Sequence, residues 1–223
     1  MTKKLLLKAC GKLFAGLVII ALLLFLPAGT IGFYNGWMFI VILFVPMIVA
    51  GVVLMKKNPA LLEKRLNAKE KEDEQKSILL LSGLMFLAAF ISAGLCYRFH
   101  FLVIPLWLAK TGAVIFLAAY VMYAEVLREN TYLSRTVEVQ ENQKVIDTGL
   151  YGVMRHPMYC STLFLFLSMG IVLGSVISFA VLLFYIPIIA KRIKNEEQVL
   201  EEGLEGYAEY KERVKYKVIP FIW

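Results

Sequence analysis

Charge is scarce in this chain. Of its 223 residues only 18% are Asp, Glu, Lys or Arg, against 60% hydrophobic, and the mean hydropathy is +0.71. So little polar surface cannot cover a water-exposed globule of this size. No GxGxxG follows a strand-like run, which argues against a nucleotide-binding βαβ domain. Cysteine is sparse as well: Cys10, Cys96 and Cys160 are odd in number, far apart and without a CxxC pair, so neither a disulfide frame nor a metal site is suggested. Only two histidines occur, His100 and His156.

What is present is a series of apolar runs, several long enough to cross a hydrocarbon core of about 30 Å. Their spacing predicts an all-α polytopic membrane protein with about six membrane helices, at residues 13–33, 37–55, 78–97, 104–125, 158–174 and 176–191. The last two read as a hairpin, because Gly170, Gly174 and Ser175 interrupt a block too long for one untilted crossing. Tyr34-Asn35-Gly36 reads as the tight turn between the first pair. The basic head and apolar body of residues 1–29 resemble a signal peptide, but the apolar part is too long for one and reads as a first span.

Lysine and arginine are almost missing from one side. Residues 1–12 hold four, 56–77 seven, 125–157 four and 191–223 seven, which leaves only Arg98 and Lys110 of the 24 for the other. This bias accounts for the net charge of +7 without nucleic acid, and it predicts that both termini and the two long loops are cytoplasmic. The organisation expected is one membrane domain over 1–223. It would comprise a two-span hairpin (1–55), a charged loop (56–77), two further spans (78–125) and a region 126–223 that carries the chemistry. After residue 191, Leu200, Leu204, Tyr207 and Val214 form an apolar stripe on a charged helix, weakened by Gly203 and Gly206. Such a helix is expected to lie at the membrane surface.

Two polar clusters could do chemistry. In DTGLYGVMRHPMY, residues 147–159, Pro157 suits the first turn of a helix, which puts Arg155 and His156 just before a helix N-terminus. In KRIKNEEQVLEE, residues 191–202, Arg192 and Glu196 are four apart and share a helix face, with Glu197 about 100° around. Each alone can be a membrane anchor or a surface ion pair. If the hairpin folds back antiparallel, both clusters reach the same surface and enclose one pocket.

These motifs resemble the integral-membrane methyltransferases that include isoprenylcysteine carboxyl methyltransferase and the phospholipid methyltransferases. The resemblance rests on GLYGVMRHPMY, RIKNEEQVL and the tail GLEGYAEYKERVKYKVIPFI, with weaker support from NPALLEKRL at 58–66 and SRTVEVQENQKVIDTG at 134–149. It implies S-adenosyl-L-methionine as methyl donor, contacted by Gln143, Lys144, Val145, Ile146, Tyr151, His156, Pro157, Met158, Tyr159 and Glu196. It also implies that Arg192 faces the methyl acceptor; the catalytic candidates are Arg192, Glu196 and Glu197, with Arg155 a second substrate-binding candidate that could hold a lipid phosphate. Two positions depart from the family habit. Ser161 stands where a glycine is frequent, and Gln143 where a histidine is.

The implied partners are the lipid bilayer and a lipophilic acceptor, with no metal. A carboxylate acceptor of the isoprenylcysteine type is the leading expectation. It arrives ionised and needs a cation and dehydration more than a base. An amine lipid such as phosphatidylethanolamine is the alternative, and would need Glu196 or Glu197 as base. A non-enzymatic scaffold or transporter subunit is the reading from another class.

Overall fold

A computed structural model describes residues 3–67, 73–130, 132–133 and 139–223. The middle of the charged loop (68–72) and the SRTVE of the 134–149 motif lie outside these. Among the described residues the chain is helical, without strands beyond one isolated bridge between Val103 and Ser175. The helices are α1 (Lys3–Ala28), α2 (Tyr34–Lys57), α3 (Pro59–Asn67), α4 (Asp73–Phe99), α5 (Leu106–Glu129), α6 (Pro157–Val172), α7 (Val176–Leu182), α8 (Tyr185–Gly203) and α9 (Tyr207–Arg213).

Among the described residues, five helical stretches are long and apolar enough to cross a membrane: Lys4–Ala28, Tyr34–Lys57, Ser77–Phe99, Leu106–Glu129 and Val176–Gly203. The remaining expected span, 158–174, is α6. It has 16 residues, about 24 Å at ~1.5 Å each, which is short of a straight crossing. The expected span 176–191 is in fact two helices. Pro187 cannot donate to the Leu183 carbonyl four residues back, and the helix breaks at Leu183–Phe184 before resuming as α8. From there α8 runs without interruption through 191–202, so the charged cluster is the outer end of a membrane helix.

The turn between α1 and α2 is not where an Asn-Gly pair suggested. It spans Gly29–Phe33, pinned by Trp37 Nε1 donating to the Ile31 carbonyl at 2.7 Å, and Tyr34-Asn35-Gly36 opens α2. Asn35 instead donates to the Val172 carbonyl at 2.8 Å, which ties α2 to the tip of the α6–α7 turn. That tip is also held by Val176 N–H to Leu102 O and Ile104 N–H to Gly174 O, at 3.0 and 2.8 Å. Close approach of α5 to α6 depends on Gly112, where an added Cβ would come within 2.8 Å of Ile171. The α6–α8 hairpin is thus anchored at its far tip, and its two open ends are left to meet at the other side.

Candidate active site

The rim of α6 is built by backbone before any side chain acts. Pro157 takes the first helical position, and His156 sits at the N-cap with φ −124°. The N–H groups of Arg155 and His156 donate to the carbonyls of Tyr216 and Lys217 at 2.9 and 2.8 Å, so the returning tail pairs with this segment. Upstream, the GLYG turn needs Gly149: its φ is +49°, and a Cβ there would lie 2.3 Å from the Glu129 carboxylate. That carboxylate accepts from Thr148 Oγ1 at 2.9 Å and Leu150 N–H at 3.3 Å, fixing the loop to the end of α5. Tyr151 is then buried, with its phenol oxygen accepting from Asn130 Nδ2 at 3.0 Å.

The outer end of α8 faces this rim. Tyr159 donates a short hydrogen bond to Glu196, and Arg192 Nε donates to the Tyr159 oxygen at 3.0 Å. His156 stands between the two carboxylates, with Nδ1 3.9 Å from Glu196 Oε1 and Nε2 3.3 Å from Glu197 Oε1. The juxtaposition of RHPMY with RIKNEE is therefore real, across 33 to 42 residues of sequence.

An open cleft enclosing about 850 Å³, its mouth included, lies at this meeting point. Its walls include Gln143, Lys144, Val145, Ile146, Tyr151, Arg155, His156, Met158, Tyr159, Arg192 and Glu196. Two expected site residues are not on the wall. Pro157 serves the helix start, and Glu197 is buried in an ion-pair knot: it accepts from Arg155 Nε at 2.8 Å and pairs with Lys217 Nζ at 3.1 Å. A catalytic role in contact with substrate does not fit Glu197. Arg155 is also tied down. Besides Glu197, its Nη1 donates to the carbonyls of Val214 and Lys215 at 2.7 and 3.1 Å, which weakens its candidacy as an anion grip. Ser161, in the position where a glycine is frequent, is fully buried and donates to the Met158 carbonyl of its own helix at 2.7 Å.

Further residues complete the wall: Asn130, Tyr132 and Leu133 after α5, and Val199, Leu200, Leu204, Tyr207 and Tyr210. The apolar stripe on the C-terminal segment thus has a different partner from the one expected. The helix breaks at Gly203, Gly206 adopts φ +81°, and Leu204, Tyr207, Tyr210 and Val214 pack on Val139, Val145 and Leu200. Periodicity marks an apolar face, but the same face serves for lipid or for a loop. Burial pushes the phenols of Tyr151 and Tyr210 well above the ordinary tyrosine value, so Tyr210 remains a donor, to the Tyr151 carbonyl at 2.8 Å. Tyr207 is buried like its neighbour, yet its hydroxyl has no hydrogen-bond partner among the described residues. A buried hydroxyl left unpaired on a cavity wall is what a ligand with polar groups would satisfy. A carboxylate, an imidazole and an apolar loop around one cleft suit a sulfonium nucleoside, whose cation and base need different surroundings.

Residues 110–202 match the model of the Isoprenylcysteine carboxyl methyltransferase (ICMT) family. The solved structure of the eukaryotic intramembrane Ras methyltransferase ICMT is similar in fold, with a TM-score of 0.51 at 16% identity over 98% of this chain and 96% of that one. Delta(14)-sterol reductase TM7SF2 of Mus musculus is 26% identical over 91 residues, 40% of this chain; the match spans about a fifth (22%) of that relative's length. The family match covers both polar clusters, and over residues 110–202 the chain is similar to the isoprenylcysteine carboxyl methyltransferase family.

Proposed function

We propose that the protein is a membrane methyltransferase that takes S-adenosyl-L-methionine as donor and methylates a lipophilic acceptor, of which an isoprenylcysteine-type carboxylate is the named choice. The observation that carries this reading is the convergence of His156, Tyr159, Arg192 and Glu196 on one cleft walled by residues 143–146. When bound, the donor supplies a methyl on a sulfonium, open to in-line displacement. Glu196 would place a negative charge beside that cation, and Val145, Ile146 and Met158 on the same wall would give apolar contact to the nucleoside. Arg192 is held by Tyr159 at the α6–α8 seam, where it would grip the acceptor carboxylate. That grip orients an already ionised nucleophile, and the membrane-side helices keep water from it.

The amine-lipid alternative is less well served. It needs a cation for the lipid phosphate, and Arg155 already spends Nε and Nη1 on protein acceptors. The charge bias of the loops supports a cytoplasmic site with both termini on the same side.

The deciding experiment has two stages. Calorimetric titration of the purified protein with S-adenosylhomocysteine should show binding, and a scaffold would show none. Transfer of labelled methyl to a farnesylcysteine analogue should then give base-labile product. Transfer to phosphatidylethanolamine alone would replace the carboxylate by the amine. Arg192→Leu should cut methyl transfer roughly 100-fold, a loss of about 2.7 kcal/mol in transition-state stabilisation, while homocysteine-nucleoside binding persists.

A further inference from the structure

Glu197 stands outside the cleft, yet it is the most heavily bonded carboxylate in this region. It joins three separate segments: Arg155 and His156 before α6, its own helix α8, and Lys217 in the tail. All the side chains that meet on its Oε1 are nearly removed from solvent, at 4% exposure for Arg155, 4% for His156 and 6% for Glu197 itself. A purely structural ion pair needs only Arg155. The second contact on the same oxygen, from the His156 ring, has a chemical consequence.

A carboxylate paired with Arg155 and Lys217 can only accept hydrogen bonds. The His156 nitrogen that faces it at 3.3 Å must therefore carry a proton, which assigns N–H to Nε2. Nδ1 is then the nitrogen whose state is free to vary. It points toward Glu196, at 3.9 Å, on the cleft wall. The ring plane has a second support in Tyr159, whose ring centroid is 5.6 Å away at 33°. Tail pairing of His156 N–H to Lys217 O at 2.8 Å holds the backbone on the opposite side.

We propose that Glu197 is a positioning residue that fixes the Nε2–H tautomer of His156 and thereby presents Nδ1, as a hydrogen-bond acceptor, to the ligand of the cleft. The ligand group it suits is a donor: an ammonium or hydroxyl of the bound amino-acid nucleoside. This deepens the methyltransferase reading, and rests on it only for the identity of that ligand. Two adjacent glutamates thus divide the work, with Glu196 meeting the ligand and Glu197 aiming the imidazole.

Nitrogen NMR of the full chain in micelles, labelled at histidine, tests this directly. Only two rings contribute, and His100→Asn assigns them. In spectra recorded at about pH 9, the His156 proton is expected on Nε2, facing Glu197. Adding S-adenosylhomocysteine should shift Nδ1 and leave Nε2 in place. A proton on Nδ1 with Nε2 bare overturns the proposal, as does a ligand that binds by calorimetry without moving Nδ1. If the wild type binds no S-adenosylhomocysteine, the methyltransferase reading falls, while the tautomer result decides the role of Glu197 separately. Glu197→Gln should mix the tautomers and weaken binding about tenfold, the lower end of the loss when the outer partner of a metal-ligating histidine is removed, with partial rescue by Glu197→Asp. A Gln variant that keeps both the tautomer and the affinity sinks the idea. The wild-type spectrum keeps it testable even if that variant does not fold.

Discussion

The first helix and the sixth are similarly greasy on paper and are used in opposite ways. In α1 the buried side chains are Leu5, Leu24 and Ala28, and its most apolar stretch is only 6% buried. In α6, ten of 16 residues are buried, among them Tyr159, Ser161 and Ser168. Lipid tails are as apolar as leucine, so an α1 side chain gains little by leaving them for protein. Residues around α6 instead pack on α5 and α7 and support a polar knot that must be satisfied internally. Hydropathy alone reports the solvent a helix tolerates, and does not report whether lipid or protein surrounds it.

That contrast can be broken by substitution. Arg155→Met should have the largest effect on stability. It strands a buried carboxylate, which typically costs about 3–5 kcal/mol; with Lys217 still paired to Glu197, a loss near the lower figure is expected in detergent unfolding. Gly149→Val forces a β-branched residue to a φ of +49° against Glu129. Strain of roughly 1–3 kcal/mol should appear as a lower unfolding midpoint and faster proteolysis of the 139–152 loop. Tyr210→Phe removes a single buried hydrogen bond to Tyr151 O and should cost about 1 kcal/mol. Leu22→Ala, on the half-exposed face of α1, should fall within about 0.5 kcal/mol. A loss of several kcal/mol at Leu22 would show that α1 is packed by a partner rather than solvated by lipid.

Much of the site was legible before any coordinates, for a definite reason. RHPMY and RIKNEE are polar groups in an apolar setting, and helix spacing puts Arg192 and Glu196 on one face. What escaped the sequence depended on distant partners. Asn35-Gly36 reads locally as a turn, but Asn35 is used by Val172, 137 residues away. The Leu200–Val214 stripe has the right period for a membrane surface, yet Val139 and Val145 cover it. Asn130 and Tyr132 carry no local signal beyond being polar at the end of an apolar helix, and they are set on the wall by distant partners, Tyr151 for Asn130 and the Asn142 carbonyl for Tyr132.

By itself, the sequence determined the helical class, the rough positions of the membrane helices and which residue types could meet at the α6–α8 seam. Run length, proline position and side-chain spacing along a helix are local properties, readable without coordinates. Only the tertiary structure decided that of two neighbouring glutamates one opens on the cleft and the other is enclosed. The environment of Glu197 is set by Arg155, His156 and Lys217, from segments before and after it, and no local pattern encodes which of them will arrive.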